Sequence, residues 1–252
     1  MKSKGYIGII PARYASSRFP GKPLVDILGK TMIRRVYEQA IRSQFLEKVI
    51  VATDDEKIAA EVRSFGGEVL MTQSEHPSGT DRCAEVIEKL GNSITSDSVI
   101  INIQGDEPFI DPDQIDLLCA CFNQPEVELA TLIRPFSSGT EVLSPNSIKV
   151  VVTTNGYALY FSRLPIPFER DARQGMLPDA SLHHQHIGIY GYKASTLLEI
   201  AKLSPSKLET TEKLEQLRWL ENGYRIMTAV SEHESWSVDA PEDLKKIYAR
   251  FS

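Results

Sequence analysis

The sequence predicts an α/β fold: a mostly parallel, twisted sheet with helices on both faces and a smaller antiparallel β insertion in the C-terminal half. Continuous apolar runs at residues 6–10, 49–51 and 99–103 are typical of strands buried on both faces. Amphipathic helical segments alternate with these runs, which is the pattern of a parallel sheet covered by helices. The 252 residues, 42% hydrophobic and 25% charged, have the size and composition of one globular domain.

Helices are predicted from apolar residues at helical spacing. Residues 32–41 carry one such stripe and residues 83–90 another. A third helix is expected after Thr53, since Thr53 and Glu56 have capping-box spacing. Asp111 is expected to cap a fourth helix, because Pro112 and Gln114 follow it at the first and third helical positions.

The second half of the chain is less regular. Strands are predicted at residues 127–133, 147–153, 157–161 and 182–192, with a proline-rich and charged segment at 164–179. In the strand at 182–192, the two-residue period places His186, Tyr190 and Tyr192 on one face, which we expect to line a cleft. A final helix is expected after Pro241.

Charge and cysteine content restrict the classes of function. The formal net charge of -6 argues against nucleic-acid binding. Within residues 1–48, however, ten lysines and arginines accompany three acids, so an anionic ligand would be drawn to this segment. The three cysteines lack the spacing of a disulfide framework or a zinc site, and no apolar stretch has membrane-spanning length. We therefore expect a cytoplasmic protein that does not insert into a membrane.

A cationic loop, residues 11–24, follows the first strand at the sheet edge where α/β folds bind ligands. It has too few glycines for a dinucleotide-binding fingerprint, and Pro23 stands where a Walker A loop needs Ser or Thr. Arg13, Arg18 and Lys22 would suit a triphosphate. A solvated basic loop is the alternative.

Two acidic residues near predicted strand and helix ends differ in what the sequence indicates: Asp106 is a candidate magnesium ligand, whereas Asp239 has a structural interpretation. Asp106 follows a buried strand at the same sheet edge and has no helix to cap. Asp239 precedes the last helix, where an N-cap role is the simpler interpretation of the residue itself.

The loop at residues 11–24 resembles the signature loop of the 3-deoxy-manno-octulosonate (Kdo) cytidylyltransferases. Further segments match that family, in its order, across nearly the whole chain: Ser78-Gly79-Thr80-Asp81-Arg82, Asn102-Ile103-Gln104-Gly105-Asp106-Glu107-Pro108, 157–163, 186–192, 214–218 and Val238-Asp239. The resemblance implies a nucleotide-diphospho-sugar transferase fold, a homodimer and a magnesium requirement. It also implies that residues 1–125 form a nucleotide-binding half and residues 126–252 a sugar-binding and dimerisation half.

The resemblance further implies roles for individual residues. Nucleotide contacts would be Pro11, Ala12, Arg13, Arg18, Lys22, Ser78, Gly79, Thr80 and Arg82. Sugar contacts would be Gln104, Arg170, His186, Tyr190, Glu215 and Gln216. Asp106 and Asp239 would hold magnesium and, with Arg13 and Lys22, form the catalytic group. Ala240 stands where many relatives have Thr, which concerns the local turn more than the neighbouring carboxylate.

The implied reaction joins CTP to an acidic eight-carbon sugar and releases pyrophosphate, for lipopolysaccharide biosynthesis. The anomeric hydroxyl of the sugar would attack the α-phosphorus, and the loop cations would neutralise the leaving pyrophosphate. A CMP-sialate synthetase is one alternative, although the loop at 11–24 favours the Kdo group. A metal-dependent glycosyltransferase would not need Arg13 and Lys22 for a leaving pyrophosphate, and an inactive binding domain would be expected to have lost Lys22, Asp106 or Asp239.

Overall fold

The computed structural model describes residues 5–15, 19–171, 175–234 and 236–251. The strands are β1 (Tyr6–Ala12), β2 (Asp26–Ile27), β3 (Lys30–Thr31), β4 (Lys48–Thr53), β5 (Glu68–Met71), β6 (Val99–Asn102), β7 (Leu129–Pro135), β8 (Lys149–Val152), β9 (Ala158–Ser162), β10 (His184–Lys193) and β11 (Met227–Val230). The α-helices are α1 (Met32–Ala40), α2 (Glu56–Ser64), α3 (Gly79–Leu90), α4 (Pro112–Cys121), α5 (Gly139–Leu143), α6 (Ala194–Ile200), α7 (Lys207–Glu212), α8 (Gln216–Glu221) and α9 (Asp243–Phe251).

One large sheet organises the described part of the chain. Its strand order is β11-β7-β10-β6-β1-β4-β5, and β8 and β9 extend from β10 as an antiparallel branch. The β6-β1-β4-β5 half is parallel, whereas β10 runs antiparallel to both of its neighbours. Strands β2 and β3 form a separate small hairpin. This architecture confirms the predicted fold class, including the antiparallel insertion in the C-terminal half.

The sheet separates two apolar cores because successive strand residues face opposite sides. Along β1, Ile10 packs into one core while Ile9 packs into the other. Ile101 and Ile100 divide in the same way along β6. Burial on both faces explains why these strands appear in the sequence as unbroken apolar runs.

Several local predictions need adjustment. Helix α2 is capped by Asp55, which accepts from two backbone N–H groups, and not by Thr53. Helix α3 begins at Gly79, four residues before the predicted stripe, because Ser78 caps it. The capping box at Asp111 is confirmed. Among the described residues, no helix is both long and apolar enough to cross a membrane.

Candidate active site

A cavity of about 320 Å³ opens at the carboxyl ends of β1 and β6, on the edge where the sequence predicted a ligand. It is lined by the segment after β1, the start of α3, the segment after β6 and single residues from β10, the entry to α8 and the entry to α9. The cavity therefore collects residues from almost the entire length of the chain.

Lys22 reaches this cavity because of the backbone turn before it. Gly21 has φ +71°, a left-handed conformation that favours glycine, and its N–H donates to the Tyr14 carbonyl at 3.0 Å. The Lys22 ammonium then donates to Asp106 Oδ2 at 2.8 Å and to the Val238 carbonyl at 2.9 Å. Asp239 Oδ1 lies 4.0 Å from the same nitrogen. One cation thus joins three distant parts of the chain.

The two predicted metal ligands, Asp106 and Asp239, each place one carboxylate oxygen within 4.0 Å of that ammonium nitrogen. The Val238 N–H donates to the Asp106 carbonyl at 2.9 Å, which fixes the two segments to each other. Helix α9 begins only at Asp243, whose carboxylate accepts from the backbone N–H groups of Asp239 and Ala240. The N-cap interpretation of Asp239 is therefore wrong. Two neighbouring carboxylates, 27% and 53% exposed, supply the hard oxygen donors that magnesium prefers, so these residues fit a magnesium ion.

The start of α3 forms a second wall of the cavity. Ser78 caps the helix and also donates to Glu215 Oε1 at 2.7 Å, while Thr80 donates to Glu215 Oε2 at 2.9 Å. Burial raises the pKa of the Glu215 carboxyl, and the two hydroxyl groups partly oppose that rise. A helix N-terminus and a partly buried carboxyl group therefore face the same space.

The predicted nucleotide-binding residues are largely brought together. Pro11, Ala12, Arg13, Lys22, Ser78, Gly79, Thr80 and Arg82 all line the cavity. Arg13 is exposed. Arg82 is 3% exposed and its guanidinium group contacts Thr72 and Asp54, so much of its charge is already engaged within the fold. Arg18 lies outside the described residues.

Only some of the predicted sugar-binding residues line the cavity. Gln104, Tyr190 and Glu215 line the cavity. Arg170 is exposed and Gln216 is buried, and neither belongs to the lining. Their contact with a sugar stays a prediction.

His186 also lies outside the lining of this cavity. Its ring packs 5.1 Å from that of Phe161 and 5.3 Å from that of Tyr190, and its Nε2 atom lies 3.0 Å from the Thr131 hydroxyl. Burial lowers the pKa of His186 to about 3. The predicted face of β10 thus packs largely into the core, where Tyr192 is fully buried, and Tyr190 is its member that reaches the cavity. A sugar contact by His186 stays a prediction.

Two cavity residues with polar side chains, Asn102 and His76, were not among the predicted site residues. His76 Nε2 lies 2.5 Å from Glu85 Oε2. Burial opposes ionisation of Glu85, but bonds from Lys89, the Gln73 N–H and His76 hold the pKa of that carboxyl at about 2. Asn102 is the last residue of a buried strand at the ligand edge, and a polar residue in that position was the available signal.

The sheet, the aspartates beside Lys22 and the polar cavity fit an α/β enzyme of the nucleotidyltransferase class. A family profile described as Cytidylyltransferase matches residues 7–227. A 3-deoxy-manno-octulosonate cytidylyltransferase from Parabacteroides distasonis is 50% identical over 248 residues, covering 97% of each chain. One of the same name from Bacteroides thetaiotaomicron is 49% identical over 243 residues, covering 95% of each.

A solved structure agrees with these sequence relatives. A CMP:2-keto-3-deoxy-manno-octonic acid synthetase complexed with CTP superposes with a TM-score of 0.87 at 41% identity, covering 98% of each chain. The chain therefore belongs to the cytidylyltransferase family, and within it to the 3-deoxy-manno-octulosonate cytidylyltransferases. The resemblance carried by the loop at residues 11–24 is confirmed.

Proposed function

We propose that this chain transfers the cytidylyl group of CTP to Kdo, giving CMP-Kdo and pyrophosphate for lipopolysaccharide biosynthesis. The observation that carries the proposal is the Lys22 ammonium placed on Asp106 and beside Asp239 at one cavity, in a chain 41% identical to a synthetase solved with CTP. The names of the relatives favour the Kdo enzyme over a CMP-sialate synthetase or a glycosyltransferase.

The chemistry follows from the groups at the cavity. The oxygen of the anomeric C2 hydroxyl attacks the α-phosphorus, that hydroxyl loses its proton, and the bond from the α-phosphorus to the bridging oxygen of pyrophosphate breaks. Lys22 and Arg13 offset the negative charge that gathers on the leaving pyrophosphate, and stabilisation of this kind is typically worth roughly a hundred- to a thousandfold in rate. The cavity also orients both substrates for in-line attack.

Magnesium is part of this proposal. Asp106 and Asp239 would hold the ion, which would neutralise phosphate charge and make the sugar hydroxyl more acidic. Enzyme stripped with a chelator should lose turnover, and added magnesium should restore it. Full turnover by the stripped enzyme would remove magnesium from the mechanism.

We also propose a homodimer in the cytoplasm, where CTP is made and thiols stay reduced. Support for the dimer comes from large apolar side chains that are exposed on β9 and between β9 and β10, namely Leu159, Leu164, Phe168, Met176, Leu177 and Leu182. Light scattering after size exclusion should give twice the chain mass. Phe168 is 85% exposed, and Phe168→Ser should weaken the dimer. If the wild-type protein has the mass of one chain, the proposed dimer is rejected.

The decisive assay follows pyrophosphate release from CTP and magnesium with Kdo, its 8-amino analogue and sialic acid offered in parallel. Turnover with Kdo supports the proposal, and faster turnover with the 8-amino analogue would redefine the substrate within the same reaction. Consumption of a preformed nucleotide sugar, with no pyrophosphate from any acid, would establish the glycosyltransferase instead.

A further inference from the structure

Two buried polar atoms in the cavity lining have no hydrogen-bond partner among the residues that the structure describes: Asn102 Oδ1 and the Tyr190 hydroxyl. Asn102 is 3% exposed and Tyr190 is 8% exposed. A buried polar group left without a partner costs roughly 1–3 kcal/mol. Such groups in a binding cavity are explained when a ligand supplies the missing bonds.

The two residues are direct neighbours across adjacent strands. Asn102 ends β6 and is the register partner of Tyr190 in β10, so their side chains leave the same face of the sheet. Side chains paired in this way have Cβ atoms about 4.5–5.5 Å apart. One side chain offers an acceptor and the other an O–H donor. A single ligand hydroxyl group can satisfy both, donating to Asn102 Oδ1 and accepting from Tyr190.

A chain of hydrogen bonds orients the Asn102 amide for this purpose. Thr80 uses its one proton on Glu215 Oε2, at 2.9 Å. The Tyr192 hydroxyl bonds to Thr80 and Asn102, and these bonds only partly oppose the rise in its pKa that burial causes. Asn102 donates from Nδ2 to the Tyr192 oxygen at 3.5 Å. Oδ1 is then the atom left for a ligand.

The position of the pair selects the sugar over the nucleotide. In the sheet order, β6 lies between β10 and β1, and the cationic loop follows β1. Asn102 Nδ2 faces α3, since a Cβ added at Gly79 would lie 3.7 Å from it. Oδ1 therefore points away from the helix, and its neighbour Tyr190 lies on the β10 side. A phosphate group has no proton to donate to the Asn102 oxygen and would be repelled by the partly buried Glu215 carboxylate, whereas a hydroxyl group can donate to that oxygen.

We propose that Asn102 is a sugar-binding residue of this site and that, with Tyr190, it holds one hydroxyl group of the sugar substrate. This inference rests on the proposed function, which it extends to a residue that discriminates among sugar acids. A sugar lacking the bound hydroxyl would leave both protein groups unpaired, and sites of this kind reject such analogues strongly.

The test compares Asn102→Leu, Tyr190→Phe and the double variant. Each single change should raise the KM for Kdo by about ten- to a hundredfold, with kcat changed only a few-fold and the calorimetric Kd for CTP within about twofold of wild type. Because both residues hold the same hydroxyl, the double variant should be little worse than the poorer single variant. Multiplying effects, or a weakened Kd for CTP with an unchanged KM for Kdo, would overturn the proposal.

Two further measurements keep the outcome interpretable. In the absence of substrates, Tyr190→Phe removes a hydroxyl group that has no partner among the described residues, so the urea midpoint of the variant should be unchanged or higher. A marked decrease would give that hydroxyl group a structural role. Tyr192→Phe is the matched control, because it loosens the Asn102 amide but leaves Oδ1 in place, and its KM should rise less than that of Asn102→Leu. Turnover of Kdo by the wild-type enzyme tests the proposed function by itself, so a failure of that function can be distinguished from a failure of the inference about Asn102. If the wild type uses another ulosonic acid, the same comparison applies to that acid.

Discussion

Lys22 has two roles that predict opposite effects of one substitution. Its ammonium contacts the carboxylates of Asp106 and Asp239, at 2.8 and 4.0 Å. In the proposed reaction it would stabilise the leaving pyrophosphate. Lys22→Met should therefore make the aspartates more available to a divalent cation while the enzyme loses turnover.

The magnitude follows from the bond that a cation must displace. A hydrogen bond to a charged group contributes roughly 1.5–3 kcal/mol, which corresponds to about ten- to a hundredfold in affinity. The Lys22 and Asp106 side chains are 17% and 27% exposed, so solvent screening favours the lower end of that range. We expect about tenfold tighter binding of a divalent cation to nucleotide-free Lys22→Met. Turnover should fall by about a hundred- to a thousandfold.

The assay uses Mn²⁺ as a paramagnetic substitute for magnesium, with the free ion measured by electron paramagnetic resonance. Lys48→Met is a charge-matched control, because Lys48 pairs with Glu68 at 2.6 Å at the opposite end of β4 from the cavity. The control should leave Mn²⁺ affinity and turnover unchanged. Unchanged or weaker Mn²⁺ binding to Lys22→Met would refute the idea that the ammonium occupies a metal site.

Three other predictions follow. Glu85 has a pKa of about 2 against the usual 4.5, so its ionised form adds about 3 kcal/mol to the free energy of unfolding above pH 4.5, and this contribution is lost as the pH falls toward 2. In urea titrations, Glu85→Gln should therefore be less stable than wild type at pH 7, and the difference should shrink below pH 4.5. Gly105→Ala should lower the melting temperature and the affinity for CTP, because the added Cβ would lie 2.8 Å from the Pro11 carbonyl oxygen. Gly188→Ala is the control: its added Cβ would have its nearest neighbour 3.9 Å away, so the melting temperature should not change. The three cysteines are buried, and burial raises the pKa of Cys121 to about 11, so a thiol reagent at pH 8 should label them only after unfolding; labelling of the native chain would contradict their burial.

Much of the fold was predictable because the responsible interactions are local or periodic. The apolar runs at residues 6–10 and 99–103 became β1 and β6, since a strand buried on both faces has to be apolar throughout. The capping box at Asp111 depends on residues three positions apart, so tertiary contacts were not needed to recognise it. Helix α2 was harder, because Thr53 and Asp55 are both good caps and only the end of β4 chooses between them.

The site residues likewise separate into those that local sequence indicated and those that only contacts between distant segments reveal. Residue type and position after a strand indicated Lys22 and Asp106, and resemblance added Asp239. The bonds that identify Asn102 and Tyr190 as a pair join strands 88 positions apart in the chain, and no local pattern reports them. The same limit applies to His186, which alternation placed on a cleft face but which core packing holds against Phe161.

By itself, the sequence determined the α/β class, the cationic loop after the first strand and the family, because these depend on residue type and order. The tertiary structure decided that Lys22 contacts Asp106 and Asp239, that Glu215 meets the start of α3, and that two polar atoms in the cavity lack partners within the described part of the chain. Those facts are contacts between segments distant in the chain, and such contacts exist only after the sheet has brought the ends of its strands together.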